Sequence, residues 1–332
     1  MKSIGILALG VALILGLLAC SGPKLQPDSA LRVKPVLTTE FAVAEDGYRL
    51  PITESLPEQP AKALVIALHG FNDYSRAFAG MCASLLKHDI ACVAYDQRGF
   101  GGSEHVGFWP QPGRMQLDLA TLVQLYGARY PELPIFLAGE SMGGAVIITA
   151  MSEAADWQQR VSGLILFAPA VWARSTQPWY QQFALWLTVN TVPGWTPTGR
   201  GLGRIASDNI EALRAMGRDP KVIKETRIDA IYGLNNLMDQ ALINVVALKH
   251  PTLYLYGEKD QIIPKGATCT ALDNMLDAGT GFDFTLYPNG YHMLTRDLQA
   301  ETVFTDVARW IDQPRSAPAQ MVTERVQAYC NS

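Results

Sequence analysis

Six short apolar runs, at residues 64–68, 90–95, 135–138, 164–167, 253–256 and 282–287, alternate with longer stretches of helical periodicity. Runs this short with no polar face belong to strands covered on both sides, which happens where a sheet is parallel and its crossover helices pack above and below it. Stretches at 74–87, 115–130, 143–152, 265–277 and 301–311 supply those helices. A hairpin precedes them at 40–52 and turns at Glu45-Asp46-Gly47. The predicted fold class is therefore α/β, with a mostly parallel central sheet flanked by helices. At 332 residues and 48% hydrophobic content, the chain can bury one large core.

One segment breaks the alternation. Residues 171–247 show no strand pattern, and helical patches there carry Trp172, Trp179, Tyr180, Phe183, Trp186 and Trp195. Such an insertion reads as a helical cap, or lid, which divides the core into 39–170 and 248–315. At the other extreme, Lys2 and the apolar run 4–18 ahead of Leu17-Leu18-Ala19-Cys20 form a secretion signal over 1–19. About 16 apolar residues fall short of the roughly 20 that a bilayer span requires. The ending resembles the bacterial lipobox, which implies acylation of Cys20 and a lipid-anchored place in the cell envelope; Ser21 points to the outer membrane. Gly22, Pro23, Pro27 and Pro35 interrupt any pattern over 20–38, which reads as a tether. Residues 316–332 read as a polar C-terminal tail.

A secreted chain can oxidise its remaining thiols, Cys82, Cys92, Cys269 and Cys330. Pairing Cys269 with Cys330 would tie down the tail; Cys82 and Cys92 read equally as thiols or as a bridge. The net charge of −4, from 27 basic and 31 acidic residues without a basic run, excludes nucleic acid as an expected partner. No P-loop and no HExxH helix occurs, and no metal or cofactor is expected.

The chemistry begins at Gly139-Glu140-Ser141-Met142-Gly143, directly after the apolar run 135–138 and before a helical one. A serine there sits on a sharp strand-to-helix turn, a nucleophile elbow, where closely approaching backbones leave no room for side chains at Gly139 and Gly143. A serine hydroxyl needs a base to take its proton and a carboxylate to orient that base. Among the histidines after Ser141, His292 lies in a loop following the run 282–287, whereas His250 opens a strand and reads as structural. The acid is expected after the run 253–256, where Asp260 is the choice and Glu258 its rival. The developing oxyanion requires two backbone donors, assigned to Met142 N–H and to Phe71 N–H in Leu68-His69-Gly70-Phe71. His69 reads as a loop organiser, and 96–103 as a structural turn rather than a phosphate loop.

With these motifs in order, together with Asp96-Gln97-Arg98-Gly99, Gly257-Glu258-Lys259-Asp260 and cap residues Arg218-Asp219-Pro220-Lys221-Val222, the chain resembles the monoacylglycerol lipase and lysophospholipase branch of the α/β-hydrolases over about 64–295. The resemblance implies the α/β-hydrolase fold, a Ser141–Asp260–His292 triad and a lipid ester with a single acyl chain as substrate. Glu140 departs from the pattern, since many members have His beside the nucleophile. A short-chain carboxylesterase and a cofactor-free perhydrolase or haloperoxidase fit the same triad, and a non-catalytic envelope lipoprotein could keep the fold.

Overall fold

A computed structural model describes residues 22–199, 201, 203–314 and 317–332; the signal segment 1–19 and Cys20 lie outside the described residues. Strands β1 (Val36–Leu37), β2 (Phe41–Val43), β3 (Arg49–Ser55), β4 (Ala63–Leu68), β5 (Ile90–Tyr95), β6 (Ile135–Glu140), β7 (Val161–Phe167), β8 (Thr252–Gly257) and β9 (Phe282–Tyr287) form one sheet. Their order is β1-β2-β3-β5-β4-β6-β7-β8-β9. The pairs β1–β2, β2–β3 and β3–β5 are antiparallel. All pairs from β5 to β9 are parallel.

The apolar runs become the buried strands because both faces are covered. Along β4, Leu64, Ile66 and Leu68 enter one core and Ala63, Val65 and Ala67 the other, the alternation that a pleated strand imposes. Helices Arg114–Arg129, Met142–Ser152, Ile228–Asn244 and Lys265–Asp277 cover the first face, and Ala79–Leu86 and Ala300–Asp312 the second. The helical insertion follows β7, and Trp179–Thr191, Ile210–Arg218 and Ile228–Asn244 are its helices. Of these, Ile228–Asn244 belongs to the core as much as to the cap, with Ala230, Leu237, Met238, Ala241 and Leu242 buried in the main cluster.

The two chain ends differ from expectation. Residues 22–38 are a docked strap rather than a free tether. Gln26 is buried, its N–H donates to Trp109 O at 2.8 Å and its Nε2 to Phe108 O at 2.7 Å. Lys24 N–H donates to Asp229 Oδ2, and Val36–Leu37 pairs as β1. Hydrogen bonds to loops, invisible to hydropathy, hold it in place. The C-terminal stretch is likewise a helix, Ala319–Cys330, rather than a tail. Val322, Val326 and Tyr329 recur at helical spacing and are buried against the main core. Disulfides join Cys269 to Cys330, fastening this helix to Lys265–Asp277, and Cys82 to Cys92, fastening Ala79–Leu86 to β5. Among the described residues, no helix is long and apolar enough to cross a membrane.

Candidate active site

The loops leaving the carboxyl ends of β4, β6, β8 and β9 converge, which is where sites form in parallel sheets. Ser141 joins β6 to helix Met142–Ser152 with φ 53° and ψ −112°, left-handed backbone that costs a non-glycine residue about 1–3 kcal/mol. The surroundings hold it there: Ser141 N–H donates to Phe167 O at 2.9 Å, and Ser141 O accepts from Ala170 N–H at 2.9 Å. A Cβ on Gly139 would lie 2.6 Å from Gly143 C, and one on Gly143 would lie 2.0 Å from Leu68 O. Neither position tolerates a side chain, so the elbow requires both glycines.

His292 follows β9 and Asp260 follows β8. His292 Nδ1–H donates to Asp260 Oδ2 at 2.7 Å, and the Asp260 side chain is fully buried. Asp260 Oδ1 accepts from Ile262 N–H at 2.7 Å and from Ile263 N–H at 3.0 Å, which fixes the carboxylate's direction. Burial alone would lower the His292 pKa, but the charge and hydrogen bond of Asp260, with the charge of Glu140, outweigh it and hold the imidazole above its ordinary value. Glu258, the rival acid, is exposed. His250 lies at the amino end of β8 with Nε2 against Gln158 O at 3.1 Å, remote from these loops.

On the β4 side, His69 ties two loops together. Its Nε2 accepts from Gln97 N–H at 2.9 Å and its Nδ1–H donates to Gly70 O at 2.8 Å, while burial lowers its pKa and keeps it neutral. Gly70 abuts Ser141, since a Cβ there would lie 3.5 Å from Ser141 Cβ. That contact brings the next residue, Phe71, to the wall beside Ser141. Met142 is the first residue of its helix, so its N–H belongs to the turn that has no intrahelical acceptor. Residues 96–103 are structural: Asp96 accepts from Ser75 N–H and Gly102 N–H, and Arg98 is spent on Asp46 and Asp118.

Glu140 is buried and paired. Its Oε1 accepts from Arg296 Nη2 at 2.5 Å and its Oε2 from Thr295 Oγ1 at 2.7 Å, and Arg296 Nη1 also donates to Asp73. Arg296, Thr295 and Asp73 were not singled out from the sequence. The signal was a carboxylate, Glu140, at the end of an apolar strand run, which when buried demands a cation, with Arg296 four residues beyond His292.

Ser141, His292, Phe71 and Arg296 line one cavity of about 760 Å³. Its remaining wall is mainly apolar and comes largely from the cap, through Leu185, Ile231, Leu234 and Met238, with Ile262 and Ile263 from the core. Among the described residues, no group of three or more His, Cys, Asp or Glu is placed to hold a metal ion.

A mixed sheet of this order with helices on both faces, and a serine on a strained turn after a central strand, define an α/β-hydrolase. Residues 59–299 match the family described as serine aminopeptidase, S33, and the chain belongs to it. It is 26% identical over 307 residues to the monoglyceride lipase of Homo sapiens, covering 90% of this chain and 97% of that one. It is 24% identical over 285 residues to the monoacylglycerol lipase of Mycolicibacterium smegmatis, covering 80% and 93%. A soluble variant of the Saccharomyces cerevisiae monoglyceride lipase, solved with a substrate analogue, superposes with a TM-score of 0.67 at 21% identity, over 87% of this chain and all of that one. The chain is a carboxylic ester hydrolase.

Proposed function

We propose that the chain hydrolyses lipid esters with a single acyl chain, monoacylglycerol or lysophospholipid, through an acyl-enzyme on Ser141. The observation that carries this reading is one cavity in which Ser141 and His292 meet an apolar cap wall large enough for an alkyl chain. His292 Nε2 takes the Ser141 Oγ proton as oxygen attacks the ester carbonyl, and the oxyanion is held by Phe71 N–H and Met142 N–H, each contributing about 2.7–4 kcal/mol to the transition state. Asp260 keeps Nδ1 protonated and stabilises the imidazolium. The imidazolium returns its proton to the departing alcohol, and water, deprotonated by His292, then releases the fatty acid. The human and mycobacterial relatives, both named for this substrate class, support the reading.

Acylation of Cys20 would hold the enzyme in the cell envelope, outer membrane included, and the exposed cap aromatics Trp179, Phe183, Trp186 and Trp195 suit an interface with lipid. The test is Ser141→Ala assayed beside wild type on monoacylglycerol, lysophospholipid and short p-nitrophenyl esters. A loss of at least about 10³-fold in kcat is expected. Hydrolysis near the wild-type rate in Ser141→Ala would overturn the mechanism, and wild-type preference for the short esters would overturn the substrate.

A further inference from the structure

Residues 204–209 of the cap reach both loops that carry the His292–Asp260 pair. On the acid side, Arg204 Nη1 donates to Gln261 O at 2.8 Å and Ile205 N–H to Gln261 Oε1 at 3.0 Å, beside Asp260. On the base side, Met293 N–H donates to Ala206 O at 2.9 Å. Asn209 Nδ2 donates to Arg296 O at 3.0 Å, and Leu298 N–H donates to Asp208 Oδ1 at 2.9 Å.

At the centre lies Asp297, with Ser207. Ser207 is fully buried and its Oγ donates to Asp297 Oδ1 at 2.6 Å, while Asp297 Oδ2 accepts from Tyr291 N–H at 2.7 Å. The backbone on both sides of His292 is therefore bonded to the cap, directly through Met293 and by way of Asp297 through Tyr291. Asp297 is 3% exposed and, among the described residues, pairs with no cation. Burying a carboxylate on neutral donors alone is costly, and it is sustained here by donors from two separate parts of the chain. The core also joins the two loops directly, with Glu258 N–H donating to Tyr287 O at 3.0 Å, Lys259 N–H to Gly290 O at 2.9 Å and Lys259 Nζ to Asn289 Oδ1 at 3.0 Å, and the cap segment adds to these ties from the side of Gln261 and Met293.

We propose that the 204–209 segment is a brace that registers the base loop against the acid loop, and that Ser207 and Asp297 are positioning residues for His292. Neither touches substrate. The cap thereby acts on the chemistry as well as roofing the cavity, because a shift of this segment moves the imbalance of register directly onto the imidazole. A misplacement of about 1 Å costs up to about 100-fold in rate. This inference rests on the triad reading.

The experiment compares full-length wild type with Ser207→Ala, Ser207→Thr, Asp297→Asn and Ser141→Ala on soluble p-nitrophenyl butyrate. It reads kcat, KM, the pH profile of kcat/KM and the melting temperature. Ser207→Ala and Asp297→Asn are expected to lose about 10- to 100-fold in kcat, with KM changed by less than about threefold. Their acid limb should move to lower pH, because His292 is held above its ordinary pKa chiefly by Asp260, with Glu140 adding and Arg296 subtracting, and loosened register weakens the Asp260 contribution. Ser207→Thr, which keeps the hydroxyl, should restore kcat and the limb. A wild-type kcat and acid limb in Ser207→Ala overturn the brace, whatever the melting temperature does. So does activity that falls only with the folded fraction. If Asp297→Asn does not fold, Ser207→Ala, which removes one oxygen, decides. Retained activity in Ser141→Ala would instead indict the triad.

Discussion

Glu140 is a carboxylate set directly before Ser141 and buried, where a lone charge would be strongly disfavoured. Arg296 relieves it and is itself shared with Asp73, so the wall beside Ser141 holds two carboxylates and one guanidinium. The surplus negative charge is felt at His292, whose pKa Glu140 raises and Arg296 lowers. In the proposed mechanism only the neutral imidazole accepts the serine proton, so a raised pKa would place the acid limb of kcat/KM above the ordinary histidine value of 6.5. Glu140→Gln removes one raising charge, so the limb should shift to lower pH in a kcat/KM profile measured from pH 5 to 9. An unmoved or upward-moving limb would contradict the coupling. Ser141, Asp260 and His292 could be picked out as candidates because each follows a strand that can be read from its apolar run, and the structure sets His292 Nδ1 2.7 Å from Asp260 Oδ2. Arg296 and Asp73 could not be picked out. A buried ion pair has no periodicity, and these two residues lie 223 positions apart.

Elements tied by a single buried cation show how the loops around the site are kept rigid. Arg98, from the turn after β5, donates to Asp118 of helix Arg114–Arg129 at 2.6 and 2.9 Å and to Asp46 of the β2–β3 turn at 2.8 Å. It also stacks over the Tyr48 ring at 3.9 Å. Desolvation alone would lower the Arg98 pKa, but the two carboxylates outweigh it and push it up. Removing one member of such a group leaves the others charged and buried, at a cost of about 3–5 kcal/mol. Arg98→Met should lose about that much in urea-induced unfolding, with an unchanged m-value. A loss below about 1 kcal/mol, the range of an exposed ion pair, would show that the network is not the tie described. Elements with continuous apolar runs or a hairpin turn were legible in the sequence. The strap at 22–38 and the helix Ala319–Cys330 were not, since one is held by hydrogen bonds to loops and the other hides three buried residues among polar ones. The 171–247 boundary was similarly blurred, because Ile228–Asn244 gives one side to the cavity and another to the core.

At the scale of the molecule, the strap and the cap lie together. Lys24 is bonded through its N–H to Asp229 at the start of helix Ile228–Asn244. Helix Trp179–Thr191 has no charged residue. Gln181 and Leu185 line the cavity, while Trp179, Phe183 and Trp186 fall on the opposite stripe by helical spacing and stand exposed, Trp179 by 76%. An aromatic stripe that faces water on a cap roofing an apolar cavity is costly for a molecule in solution and useful to one lying against lipid. Half-burying an indole stabilises such a contact by about 1.5 kcal/mol, roughly tenfold in partitioning. The doubly substituted Trp179→Ser, Trp186→Ser protein, prepared without the 1–20 segment, should therefore bind phosphatidylglycerol–phosphatidylethanolamine vesicles about 100-fold more weakly than the same segment-free protein with both tryptophans. Its kcat/KM on soluble p-nitrophenyl butyrate should be unchanged, because neither indole lines the cavity. Equal vesicle binding in flotation assays would mean that the stripe serves something other than lipid. A parallel fall on the soluble ester would mean that the substitutions had disturbed the cavity wall at Gln181 and Leu185.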